Sequence, residues 1–359
     1  MSDRLLVATR KGLFDLRRGG AGWRIERTSF VGDPVSMVLR DPRDGTLYAA
    51  QALGHFGVKM RRSRDDGKSW DEIPAPALPK IESDDKAPSV ALIWSLETGG
   101  AGRPGRLWAG VIPAALFRSD DAGDSWQRVD SLWERPERKD WFGGGYDAPG
   151  LHSICVDPRN PDRVTVGISC GGVWLTDDAG VTWRLTGKGM KAEYMPPGKA
   201  DDPNIQDPHR VVQSPTRPDV FWTQHHSGVF RSDDHAASWS EITAIKPSKF
   251  GFAVAVHPAD ADTAWFVPGV KDECRVPVDG AFVVARTQDG GRSFETLREG
   301  LPQANAYDLV YRHGLDVDTT GKLLAMGSTT GNLWTSDTGG ERWSLDFPHL
   351  PPIACVRFA

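Results

Sequence analysis

Histidine is the side chain in this chain with the widest chemical reach, since near neutral pH it moves protons and in its neutral form it ligates metals. The sequence holds nine, and His55, His152, His209, His225 and His226 are the ones whose neighbourhoods suggest a shared task. They are far apart along the chain, so they act together only if the fold gathers them. Around them lie other groups of useful type. Glu273 is a candidate general base, Lys271 and Arg275 a candidate anion clamp, and Tyr307, Lys249 and Gln224 further polar partners. Trp141 and Tyr146 belong to a long Gly-rich stretch, 131 to 150, that would suit stacking against a sugar or ring-shaped substrate or, equally, packing of loop on loop. A second long stretch, 187 to 208, carries Tyr194 and Met195-Pro196-Pro197.

The elements that must position these groups announce themselves by repetition. Ser63 to Trp70, Ser119 to Trp126 and Thr176 to Trp183 repeat one phrase, S/T-x-D-x-G-x-S/T-W. Worn copies follow: Ser232 to Trp239 has Ala236 for the glycine, Thr287 to Phe294 ends in Phe, and Ser336 to Trp343 has Thr338 for the aspartate. The fading first copy ends at Trp23. The closing aromatics at 23, 70, 126, 183, 239, 294 and 343 are 47, 56, 57, 56, 55 and 49 residues apart, so seven units fill the chain.

Each unit holds an apolar run, an Asp-Pro or His-Pro turn, a second run, a Gly-containing loop and then the repeated hairpin, which makes four short strands. The expected fold is therefore all-β: one seven-bladed β-propeller over residues 1–359 with four-stranded blades. The first unit begins at its second strand, Leu5 to Thr9, while a spare apolar strand, Ile353 to Phe358, ends the chain. Pairing of the two supplies the innermost strand of blade one and closes the ring, leaving no open edge there.

With strands A to D counted outward from the axis, the channel mouth is built from D-to-A connections and B-to-C loops. His55 falls in a B-to-C loop of blade two, His152 and His209 at the start of strand A of blades four and five, and His225 and His226 at the end of strand B of blade five. Strand alternation puts Gln224 and His226 on one side and His225 on the other, so only one of the pair faces the axis. The expected metal set is His55, His152, His209 and His226, suited to Mn, Fe or Zn, with Glu273 and Tyr307 behind it. Taken singly, each imidazole is more simply explained as a partner for a loop carbonyl. The case rests on joint placement. His235, His257, His313 and His349 map to a hairpin, two strand-A exits and the C-terminal connection, and are expected to be structural. Lys271 to Arg275 reads first as a solvated charge run, and as a site only if its loop folds over the channel.

The repeated phrase resembles the Asp-box, or BNR, repeats of sialidases, sortilin-type receptors, some glucanases and photosystem assembly factors. Thr9 to Phe14, Gly150 to Ile154, Gln224 to Val229 and Phe250 to Pro258 further resemble bacterial propellers labelled sialidase-like glycosyl hydrolases. The resemblance implies the propeller fold and places the Asp-box turns on the face opposite the usual active site. Their Ser/Thr and Asp side chains read as turn-forming, not catalytic. A true sialidase site would need an arginine trio, an F/Y-R-I-P phrase and a Tyr-Glu pair. That phrase is absent, the chain has five tyrosines, and Arg10 alone occupies a comparable early position.

Composition limits the partners. A formal charge of −5 with both signs scattered excludes the basic stripe of a nucleic-acid binder. No stretch reads as a signal peptide or membrane span, and four widely spaced cysteines without a C-x-x-C pair fit a reducing, cytoplasmic setting. Two functions stay open. One is a hydrolase or lyase acting on a carbohydrate or related small molecule, with or without a divalent metal, which predicts an open polar pocket at the axis. The other is a non-catalytic binding or assembly platform, which predicts a filled channel and an exposed patch.

Overall fold

A computed structural model describes residues 1–79 and 88–359. Its strands form seven four-stranded antiparallel sheets, and six follow chain order from strand A to strand D. The seventh is blade one. Its strand A is the C-terminal strand Ile353–Phe358, followed outward by Arg4–Thr9, Gly12–Gly19 and Gly22–Ser29. The register sets Val7 opposite Val356 and Leu5 opposite Phe358. Closure is reinforced on both sides. The Val356 amide donates to the His313 carbonyl at 2.9 Å, and the Phe358 amide to Asp316 Oδ2 at 2.8 Å. Arg357, in the same strand, ion-pairs with Glu97 of blade three.

Blades adhere through large side chains set on their middle strands. Tyr48, Trp108, Trp174, Trp222, Trp265 and Trp334 are all nearly inaccessible. Side chains of this size each bury a large apolar area, and several add a bond across the seam. Tyr48 Oη donates to the Ala122 carbonyl of the next blade at 3.1 Å, Trp222 Nε1 to Ala261 at 3.0 Å and Trp265 Nε1 to Gly339 at 2.9 Å.

The repeated phrase has one geometry wherever its aspartate is present. In the third copy Thr176 Oγ1 donates to Asp178 Oδ1 at 2.7 Å and accepts from the Gly180 amide at 2.9 Å. The Thr182 amide and hydroxyl donate to the two Asp178 oxygens at 2.8 and 2.6 Å. Gly180 sits at φ 88°, in the left-handed region. Where Ala236 replaces it, the alanine adopts φ 60° and the same bonds form around Asp234. Even the copy with Thr338 keeps the pattern, its hydroxyl accepting from the Arg342 amide at 2.9 Å.

Inner strands of five blades line the axial site: Ile353–Phe358 of blade one, Val35–Arg40 of blade two, Leu92–Thr98 of blade three, Pro208–Gln213 of blade five and Gly251–His257 of blade six. Deeper along the axis the channel is crossed by polar contacts. His313 Nε2 donates to the His152 carbonyl at 2.9 Å, and Arg210 Nη1 reaches the same oxygen at 3.4 Å. Above that floor the mouth is open. No helix among the described residues is long and apolar enough to cross a membrane, and the four cysteines are unpaired.

Candidate active site

A cavity of about 760 Å³ occupies the mouth, with walls that include Asp207, His209, His226, Phe252, Arg275, Tyr311, Arg312 and His313. Its chemical centre is Asp207, the residue before strand A of blade five. That carboxylate is 4% exposed, and its Oδ1 accepts from the Cys170 amide at 3.1 Å. Its Oδ2 lies 3.4 Å from His209 Nε2 and 3.5 Å from His226 Nδ1. Burial would raise the Asp207 pKa, yet His209, His226 and the charge of Arg312 hold it well below the usual carboxylate range.

His209 is fixed from behind. Its Nδ1 lies 2.6 Å from the Gly251 carbonyl, which only accepts, so Nδ1 carries a proton, and in the neutral ring Nε2 presents a lone pair toward Asp207. Phe252 stacks on the ring at 4.3 Å. Burial lowers the His209 pKa, with Asp207 opposing. A lone pair and a carboxylate oxygen facing each other is an arrangement that a cation between them satisfies. His226 completes the group. It is 25% exposed, with its ring edge-on to Tyr194 at 4.8 Å. Burial lowers its pKa, but the hydrogen bond and charge of Asp207, with Asp272 and Glu273, more than compensate and raise it. One ligand atom from each of Asp207, His209 and His226 lies within 4.8 Å of the others. Ligands 2.0–2.2 Å from one ion sit roughly 3–4 Å apart, so small torsional closure brings this set to bonding distance.

The adjacent His225 points the other way, as strand alternation requires. The amides of Asp207 and Ser227 each lie 3.0 Å from one of its ring nitrogens, and burial pushes its pKa down to about 3. It is a support for the Asp207 backbone, outside the cavity. Gln224 is likewise a brace, donating to the carbonyls of His225, Gly228 and Lys249.

The four-histidine set is corrected on two members. His55 lies in the short turn Gly54–Phe56, exposed and packed on Phe56 at 4.0 Å, away from the cavity. Its loop is the expected one, but the turn directs the ring outward. His152 is fully buried, with Nδ1 2.9 Å from Ser153 Oγ and its ring edge-on to Trp94 at 5.4 Å, and it does not join the cluster. His313 also departs from expectation. It precedes strand A of blade seven and lines the cavity floor.

The remaining candidates divide. Arg275 and Tyr146 line the main cavity, and Tyr146 meets Trp94 edge-on at 5.2 Å. Lys249, Lys271 and Glu273 border a side recess of about 340 Å³ that shares His226 and Asp272 with the main cavity. There Lys249 pairs with Glu193 at 2.9 Å and Lys271 with Glu273 at 3.6 Å. Tyr307 is 67% exposed and outside both spaces. Trp141 is packed inside, its Nε1 donating to Asn204 Oδ1 at 2.8 Å. Asp207, Arg312, Trp94 and Tyr311 are the cavity residues that sequence reasoning missed.

No known family model matches the chain. It is 26% identical over 310 residues to a protein named xyloglucanase from a Paenibacillus species, an alignment covering 75% of this chain and 28% of that one. Among solved structures it is similar to the GH74 xyloglucanase from Xanthomonas campestris, with a TM-score of 0.65 and 16% identity over 96% of this chain and 52% of the other. It is also similar to a structure described as YCF48 bound to D1 peptide, with a TM-score of 0.57 and 15% identity over 93% and 89%. The chain thus spans less than a third of the named xyloglucanase and about half of the solved one. These likenesses establish a seven-bladed propeller similar to GH74 xyloglucanases and YCF48.

Proposed function

We propose that this chain is a hydrolase or lyase acting on a carbohydrate or related small molecule in the axial cavity, with Asp207, His209 and His226 holding one divalent cation. The observation that carries this reading is the approach of the His209 Nε2 lone pair to Asp207 Oδ2 at 3.4 Å, on an open cavity wall. Two imidazoles and a carboxylate with further positions free suit Mn, Fe or Zn. When bound, such an ion would polarise a substrate oxygen or lower the pKa of water. The protein's own share is orientation. The Gly251 carbonyl fixes the His209 tautomer, His225 and Cys170 fix Asp207, and the Trp94 and Tyr146 rings offer apolar edges to a sugar.

Similarity to proteins named xyloglucanase supports carbohydrate chemistry. A docking platform would be expected to fill its axis, whereas this one opens into about 760 Å³. Metal analysis of protein purified without an affinity tag, joined to turnover assays on a panel of oligosaccharides before and after chelation, tests the reading. Near-stoichiometric metal and chelator-sensitive turnover are expected. Metal-free protein that takes up no added ion would overturn the cation site.

A further inference from the structure

We infer that the cavity selects a substrate carrying an oxyanion, a carboxylate or phosphate on a small sugar, and that Arg312 is the residue that binds it. The inference rests on reading the axial cavity as the active site, but not on the metal. Among the described residues, five arginines are less than 9% exposed: Arg4, Arg62, Arg231, Arg286 and Arg312. Four of them hold a carboxylate, Arg4 to Asp15 at 2.7 Å, Arg62 to Asp124 at 2.8 Å, Arg231 to Asp262 at 2.6 Å and Arg286 to Glu295 at 2.5 Å. Arg312, 6% exposed, makes no ion pair or hydrogen bond among the described residues, and its buried Nε has no partner.

An unpaired buried charge is costly, and the other four of these arginines avoid it. What holds Arg312 in place is apolar. Its guanidinium lies 4.4 Å from the Trp94 ring centre and 5.3 Å from that of Phe252, which fixes its plane without using its donors. Because Phe252 also stacks on His209, the free guanidinium and the candidate cation site share one wall. A planar fork so presented matches two oxygens of a carboxylate or phosphate. Arg275 cannot substitute, since its Nε and Nη2 are engaged by Asp272 at 3.0 and 2.5 Å. Charge agrees with geometry. Arg10, Arg275 and Arg312 line the cavity against the carboxylates of Asp207 and Asp272.

Calorimetric titration with glucose, glucuronate and glucose 6-phosphate, before and after chelation, tests the inference. At least one acidic sugar is expected to bind the wild type tenfold or more tightly than glucose, with or without the metal, and the stronger of the two identifies the oxyanion. Arg312→Gln should abolish that preference, and Arg312→Lys, which keeps charge without the fork, should restore part of it. Equal binding of all three sugars by the wild type, or an acid preference that survives in a folded Arg312→Gln protein, overturns the role of Arg312. Should Arg312→Gln not fold, the wild-type comparison and its competition by inorganic phosphate decide alone. A preference that survives chelation while the protein proves unable to hold any metal would remove the cation site and leave this inference standing.

Discussion

Asp207 Oδ2 and His209 Nε2 face each other across 3.4 Å, and His226 Nδ1 lies 3.5 Å from the same oxygen. The carboxylate is buried and held by the Cys170 amide, and the imidazole is held by a carbonyl and by the Phe252 ring.

Asp207→Asn keeps the shape and the amide contacts while removing the negative charge. It should reduce divalent-metal affinity by more than the roughly 10–100-fold typical of an outer-sphere change, with the variant still folded by circular dichroism. Metal affinity unchanged within twofold would refute the ligand role.

His225→Phe tests positioning rather than ligation. The Asp207 amide, which lies 3.0 Å from His225 Nε2, would lose its acceptor. Metal affinity should fall about 10–100-fold, less than for Asp207→Asn, and Zn absorption spectroscopy should show the same nitrogen and oxygen ligands. A changed ligand set would make His225 itself a ligand.

The ring closure is fully legible in the sequence, because the first unit lacks an inner strand and the chain carries a spare one. So is the turn geometry, since serine, aspartate and glycine at fixed spacing have few ways to bond one another. The site is legible in part. His209, His226, Arg275 and Tyr146 stand on the cavity walls, but loop assignment does not determine where a ring turns, and His55 turns out. Asp207 carries a usable signal: in Asp207-Pro208-His209, residues two apart on an extended segment share a side. Arg312 carries none. The inner strand of blade seven is only Leu315–Val317, so the preceding Tyr311-Arg312-His313 falls at the mouth rather than at a strand exit.

Removing residues 353–359 deletes the inner strand of blade one with its ladder to Arg4–Thr9 and the Arg357–Glu97 pair. The truncated protein should lose its cooperative melt or unfold far below the intact chain. A melting temperature matching the intact protein would mean that the closing strand contributes nothing to the ring.

Asp178→Ala should cost about 1 kcal/mol through its lost turn hydrogen bonds and leave turnover unchanged, because the turn lies away from the cavity. Although burial opposes it, bonding from Thr182 and Thr176 holds the Asp178 pKa down to about 2, below its ordinary value of 3.8. Its stabilisation is complete above that ordinary value and is lost as pH falls through the folded value. Urea midpoints should therefore drop between pH 4 and pH 2, and less steeply in Asp178→Asn. Equal slopes in the two proteins would show that the turn carries no linked stability.

Anomalous diffraction from crystals equilibrated with Mn or Zn tests the central claim most directly. The account predicts one strong peak at the channel mouth, about 2.0–2.2 Å from His209 Nε2, from one nitrogen of His226 and from an oxygen of Asp207. A mouth without a peak at saturating metal, or a peak bound by other residues, would contradict it.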